Sequence, residues 1–203
     1  QTIMGKTDSD IEKLRKLFAE QAMKPIINEE KINTLLESIR PDGTWPGIDY
    51  VDTTRTAFQH ERHLGNMLAL SIAYKKDGSL YKGNKQVRKA IHQSLAFWLA
   101  NDFICENWWW NQIGTPNVMV SMLLILDKEL SQEESTRMLK IAERGNINAW
   151  GARPSGDRIK IAGLQAKAAL FKRDAEEVAM LMKIIEGEIK LSTDRGMQHD
   201  FSF

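Results

Sequence analysis

Residues 107 to 111 read Asn-Trp-Trp-Trp-Asn, inside the longer stretch CENWWWNQIGTPNVMVSMLLIL. Three adjacent indoles cannot share one core, because neighbours on a helix point about 100° apart and neighbours on a strand alternate faces. At least one of Trp108, Trp109 and Trp110 must therefore meet solvent or a ligand. Flat indoles stack on the C–H faces of sugar rings much as aromatic platforms take nucleobases, and the amides of Asn107, Asn111 and Gln112 beside them are suited to hydroxyls or carboxylates. The same triplet packed as a plug between helices would need no ligand. Trp110 lies about 200° from Trp108 on a helical turn and is the indole expected to pack inward.

His60 and His63 form a second group with potential chemistry, in FQHERHLGN. Three residues apart on a helix, they can share a face. They make half a metal site at most, and the HExxH spacing of zinc proteases is missing. Histidines facing solvent or substrate fit that pattern better than metal ligands. His92, between Ile91 and Leu95, reads as structural. Cys105 is the single cysteine, so neither an internal disulfide nor a cysteine zinc cluster can form. That suits cytosol and a Gram-negative periplasm equally.

Composition narrows the partners. Lys and Arg number 28 against 27 Asp and Glu, a formal charge of +1, so no global field favours nucleic acid or a membrane surface. The apolar run 118–126 falls far short of the ~20 residues of a membrane span, which predicts no membrane insertion. The opening QTIMGKTDSD lacks the charged start and apolar core of a signal peptide, so a leader is either absent or already removed.

The elements that must hold these residues read as helices throughout. Ile11, Leu14, Leu17, Phe18 and Ala22 recur at helical spacing behind Asp8 and Ser9 as caps, and Ile32, Leu35, Leu36 and Ile39 do so behind Asn28. PDGTWPG at 41 to 47 breaks the chain with two prolines and two glycines. Further helices are predicted over 54–75, 85–101, 114–128, 132–144, 158–172 and 174–190, divided by short turns, with the charged run 75–89 a surface turn. Alternating β-branched stretches are nearly absent, so the class is all-α. Antiparallel helical hairpins in series stack into a solenoid or ring, and the indoles then lie in a rim loop ahead of the helix that Pro116 opens.

At these residues the chain resembles a known family. NWWWNQIGTP resembles the N-W-W-x-N-E-I-(G/A)-x-P signature of the family-eight polysaccharide lyases, which act on hyaluronan, chondroitin and xanthan. RGMQHDFSF, 195 to 203, and PDGTWPGIDY, 41 to 50, resemble that family's G-x-Q-x-D-x-S-(F/Y) segment and its early P-D-G-(S/T)-W turn. The triplet and GMQHDFSF lean toward the chondroitin ABC type. The resemblance implies that 1–203 is one helical domain, part of an incomplete α/α toroid and a piece of a larger multidomain lyase that is periplasmic or secreted. The partners implied are an acidic polysaccharide and the remaining domains of the same polypeptide. Cleavage would proceed by β-elimination, with the catalytic His and Tyr beyond Phe203. His199 precedes that His and does not replace it, while Asp200 and Ser202 shape the turn that carries it. Asn107, Trp108, Trp109, Asn111, Arg153 and Arg158 are the implied substrate contacts, with Arg55 and Arg62 able to meet sulfates or uronates or simply to face solvent.

One departure from the family stands out. GARPSGDRIK puts Asp157 near the position where AC-type members carry an Asn that neutralises the uronate, and a bare carboxylate there would repel it. Either Arg153 or Arg158 supplies the positive charge, or Asp157 holds a divalent cation such as Ca²⁺ in an enzyme that otherwise requires no cofactor. Alternatively Asp157 is only the N-cap of the helix beginning near Arg158. A contrasting reading of the whole chain is a helical-repeat interaction module with an aromatic hot spot and no catalysis.

Overall fold

The computed structural model describes residues 2–154 and 156–189. Every regular element among them is helical: α1 (Thr2–Ala22), α2 (Glu29–Ser38), α3 (His60–Lys75), α4 (Lys85–Asn101), α5 (Thr115–Leu126), α6 (Gln132–Ala142), α7 (Gly156–Lys172) and α8 (Ala175–Glu188). The caps follow from the sequence. Asn28, Asn84 and Asp174 each accept a backbone N–H of the first turn that follows, and Ser131 and Glu134 form a reciprocal capping box on α6. Asp8 and Ser9 do not cap, because α1 already begins at Thr2 and runs through them.

The hairpins α3–α4, α5–α6 and α7–α8 stack, with their first helices α3, α5 and α7 packed in a row. At the centre lies α5, whose residues from Met119 to Leu126 are all buried, as a helix apolar all round must be. Across the row lies α1. Its Arg15, 6% exposed, donates Nη1 to the carbonyls of Leu170 and Phe171 at 2.9 and 2.7 Å and Nη2 to Asp127 at 2.7 Å. One guanidinium thus satisfies the C-terminal carbonyls of α7 and ties three elements together.

The segment between α2 and α3 is built on a buried polar chain. His63 Nε2 lies 3.0 Å from the Ser94 carbonyl and donates to it, so Nδ1 carries the lone pair that accepts the Tyr50 hydroxyl at 2.9 Å, and that hydroxyl oxygen receives the Trp45 backbone N–H at 3.2 Å. His60 donates Nε2–H to the Tyr50 carbonyl at 3.0 Å. Both imidazoles are fully buried among Phe58, Phe97, Trp98 and Phe103. The expectation that they face solvent or substrate is therefore corrected: an HxxH pair serves here as the polar spine of an aromatic core. Helix α3 starts at His60 rather than near Thr54, because Asp52 Oδ1 takes the Thr54 N–H and hydroxyl and holds that stretch as a turn. His92 pairs with Glu134 at 2.6 Å between α4 and α6, as its structural assignment requires.

Candidate functional site

The connectors between hairpins meet at one end of the stack. Glu106 donates its N–H to the Thr53 carbonyl at 3.0 Å, which joins the α4–α5 connector to the α2–α3 connector. Asp102, left-handed at φ 45°, ends α4 and pairs with Arg144 of the α6–α7 connector. The tryptophan triplet is held in the midst of these connectors.

Its backbone is not the simple loop and first turn expected. Asn107 accepts the Trp109 N–H on Oδ1 at 3.1 Å and the Trp110 N–H on its carbonyl at 3.1 Å, so helical turns begin at Trp108. Residues Trp110–Gly114 then widen into a π-turn, in which Thr115 N–H reaches back five residues to the Trp110 carbonyl. Pro116 supplies the reason. It has no N–H to give to the Gln112 carbonyl four residues earlier, so the helix accommodates it by a wider turn rather than by starting at it.

The three indoles take three directions. Trp110 tilts toward Phe58 at 5.8 Å and packs on the core. Trp109, 37% exposed, stands edge-on to Trp110 at 5.0 Å and forms one lip of a groove of about 560 Å³ that runs past Ile159, Lys160 and Lys167. Trp108 points to the α6–α7 connector, where it meets Trp150 at 5.5 Å in a T-shaped pair. Trp150 is 67% exposed, and sequence reasoning missed it. The Trp150-Gly151 dipeptide two residues before Arg153 was the available signal, since glycine often marks a close approach of backbone to a ring.

That approach is tight. A Cβ on Gly151 would stand 2.1 Å from the Trp108 ring and 2.6 Å from Gln112 Oε1, the atom that accepts the Gly151 N–H at 2.7 Å. Gly151→Ala is expected to turn Trp108 out of its seat at a cost of about 1 to 3 kcal/mol, as overpacking does. Circular dichroism checks this: the near-ultraviolet Trp signal should change while the helical signal is retained, and an unaltered Trp signal would contradict the seating.

The sequence-derived site residues divide into two sets. Trp108, Trp109 and Arg153 are brought to the surface of the cluster, with the Arg153 guanidinium 5.0 Å from the Trp108 ring centre and 5.1 Å from that of Trp150. Asn107 Oδ1 and both ends of the Asn111 amide are spent on the chain's own backbone, the latter accepting from Cys105 N at 2.9 Å and donating to Cys105 O at 2.6 Å. Arg158 turns away and pairs with Glu188 of α8 at 3.2 Å. Asp157 is not the N-cap, because α7 already includes Gly156; it lies in the first turn, 3.5 Å from Arg153 Nη2. Calcium takes about six to eight oxygen ligands, and among the described residues no three His, Cys, Asp or Glu side chains gather to hold a metal. Arg55 and Arg62 are exposed, and Arg62 donates to the Gly47 carbonyl at 2.6 Å. His199, Asp200 and Ser202 lie outside the described residues. Among those residues no helix is long and apolar enough to cross a membrane.

Comparison with known proteins agrees with this architecture. Chondroitinase-AC of Pedobacter heparinus is 25% identical over 182 residues, covering 89% of this chain and 26% of that protein. A chondroitinase AC lyase studied as oligosaccharide complexes superposes with a TM-score of 0.80 at 24% identity, covering 93% of this chain and 29% of that one. A Paenibacillus xanthan lyase superposes at 0.74 with 16% identity, covering 95% and 20%. The Streptomyces coelicolor A3 chondroitin AC lyase in complex with chondroitin sulphate superposes at 0.72 with 17% identity, covering 93% and 26%. The chain thus spans between a fifth and a third of the length of these relatives. The model of the polysaccharide lyase family 8 N-terminal α-helical domain matches residues 1–203, and the chain belongs to that family.

Proposed function

We propose that this domain is the substrate-cleft portion of a periplasmic or secreted lyase that cleaves hexosaminyl–uronate linkages in a glycosaminoglycan, either chondroitin or dermatan sulfate or hyaluronan. The reaction is a β-elimination. A base removes the C5 proton of the uronate, its electron pair forms the C4–C5 double bond, and the C4–O bond breaks with protonation of the leaving oxygen. The groups that move those protons, a His and a Tyr, are supplied from outside residues 1–203. Within those residues the domain offers ring-stacking faces and a cation, which bind the polymer and neutralise its charge.

A single observation carries this proposal: at the end of the stack where the connectors meet, the Arg153 guanidinium lies against Trp108 and the exposed ring of Trp150, while Trp109 stands open at the lip of a groove of its own. An interaction hot spot would also use tryptophan, but the family membership favours a saccharide. The test is unsaturated uronate formation, followed by ultraviolet absorbance, from chondroitin sulfate and hyaluronan with the full polypeptide that carries this domain. Trp109→Ala and Trp108→Ala should each lower turnover by about 5- to 150-fold, the scale of one lost stacking contact. Residues 1–203 alone should yield no product. Absence of unsaturated product from the full polypeptide, or undiminished turnover in both variants, would refute the assignment.

A further inference from the structure

We propose that the Asp102–Arg144 ion pair is a positioning device for the site: it fixes the α4–α5 connector against the α6–α7 connector, sets the spacing of Trp108 and Trp150, and thereby sustains productive substrate binding. The pair is argued from its own geometry, and only its effect on turnover rests on the lyase assignment above.

Three non-glycine residues, Asp102, Asp127 and Arg173, have positive φ. Glycine or asparagine would sit in the left-handed cap after α4 with least strain, yet Asp102 takes it, at φ 45° and ψ 61°. What aspartate adds there is charge, and the charge is used: the carboxylate pairs with Arg144, 42 residues along the chain in the α6–α7 connector. The pair makes one bond rather than two. Asp102 Oδ1 and Arg144 Nη1 are both buried with no hydrogen-bond partner among the described residues. Each side chain therefore depends on the other, and loss of either leaves a buried polar group uncompensated.

The position of the pair ties it to the site. Asp102 lies five residues before Asn107, where the tryptophan turn begins, and Arg144 lies six residues before Trp150. Directly after Arg144, Gly145 presses on that turn: a Cβ there would stand 2.7 Å from the Gln112 carbonyl oxygen and 3.4 Å from Pro116 Cβ. The Gln112 side chain then holds the Gly151 N–H at 2.7 Å, against the Trp108 ring. The two connectors are thus pinned at two points, Asp102–Arg144 at their starts and Gln112–Gly151 farther along. With the first pin removed they can pivot about the second, and the Trp108 and Trp150 rings, 5.5 Å apart, separate. The fraction of molecules competent to bind then falls, and the apparent dissociation constant rises in proportion. Asp127 provides the contrast. It too has positive φ, 42°, and pairs with an arginine, Arg15, but at the far end of α5 from the tryptophans.

The experiment uses the full polypeptide and whichever of chondroitin sulfate and hyaluronan it cleaves. Asp102→Asn keeps the size of the side chain and its tolerance of a left-handed backbone while removing the charge. KM should rise about 3- to 10-fold in Asp102→Asn, the scale of one weakened charge-assisted bond, and further in Arg144→Met. In both, kcat should be unchanged, the pattern of lost binding rather than lost chemistry. The near-ultraviolet Trp signal should change while the helical signal is retained. Arg144→Lys should recover part of the affinity that Arg144→Met loses, and the double variant should be no worse than Arg144→Met alone, as for two residues acting through one contact. Asp127→Asn should do the reverse, with a lower melting temperature and unaltered KM and Trp signal. Wild-type KM and Trp signal in both Asp102→Asn and Arg144→Met would overturn the proposal. So would a fall in apparent kcat at constant KM that follows the folded fraction, since a merely structural pair gives that result. If the wild type forms no unsaturated product from either polymer, the lyase assignment fails. The Trp signal of the two variants then decides the positioning role alone, a change upholding it and an unaltered signal overturning it.

Discussion

Gly43→Ala is expected to destabilise the fold by about 3 to 5 kcal/mol, a large share of the ~5 to 15 kcal/mol that holds an ordinary domain together. Two effects add at this position. Gly43 has φ +86°, a left-handed conformation that costs an L-residue about 1 to 2 kcal/mol. A Cβ there would also lie 2.2 Å from the Gln93 carbonyl oxygen and 2.7 Å from its carbon, main-chain atoms of α4 that no rotamer change can move aside. The close approach matters because the 40–44 turn is what seats Trp45, 2% exposed, against α2 and α3: Arg40 N–H bonds Thr44 O, Asp42 Oδ1 takes the Thr44 N–H and hydroxyl, and Trp45 Nε1–H reaches the Leu35 carbonyl at 3.0 Å. Gly78 is the control. It has nearly the same φ, +78°, with nothing within 4 Å of its Cβ position, so Gly78→Ala should cost only the conformational ~1 to 2 kcal/mol. Urea denaturation of both variants reads the difference, and equal losses would mean that the contact with α4 has no energetic weight.

That turn also shows what was legible in the sequence and what was not. The run PDGTWPG announced a break and a family motif, and helical spacing located the helices from α2 onward to within a few residues, apart from the start of α3. Spacing could do this because it reports which residues share a face. It could not report what lies against that face. His60 and His63 look like solvated residues on an amphipathic helix until Tyr50, ten residues before His60, and Ser94, 31 residues after His63, close over them. The π-turn was hidden for a related reason: Pro116 read as an ordinary helix opening, and only the bond from Thr115 back to Trp110 reveals helical turns already under way. In the site, Trp108, Trp109 and Arg153 were named from the sequence; Trp108 and Arg153 stand together, while Trp109 faces a separate groove beside Trp110. Trp150 was not named, because one indole in a connector has no periodicity to betray it. The roles of Asn107 and Asn111 in building the turn depend on backbone partners that no spacing rule predicts.

The buried histidines carry the second large effect, a loss of stability with falling pH. Burial pushes His63 down from 6.5 to about 4, against the favourable bond to Ser94, and burial lowers His60 as well. A second proton on His63 breaks the existing pattern: Nε2–H already donates to Ser94, a proton on Nδ1 would force the Tyr50 O–H to turn away from it, and the neighbouring rings of Trp45, Phe97 and Trp98 carry no charge to balance the cation. The groups of opposite sign near His60, Asp49 and Asp52, counter its shift without cancelling it. Because the folded pKa of His63 lies below the unfolded value, its contribution to stability is complete above pH 6.5. It is lost progressively as pH falls toward 4, where the unfolded chain binds a proton that the folded chain refuses, and it falls no further below that. For His63 alone the loss is about 3 kcal/mol across that window, at ~1.4 kcal/mol per unit. Urea midpoints between pH 7.5 and 4 should therefore decline steeply in the wild type and more gently in His63→Gln, which keeps a polar side chain but cannot titrate. An equal decline in both proteins would place the acid sensitivity elsewhere. A retained decline in His63→Gln that is abolished in His60→Gln would assign it to the other imidazole, whose buried Nδ1 has no hydrogen-bond partner.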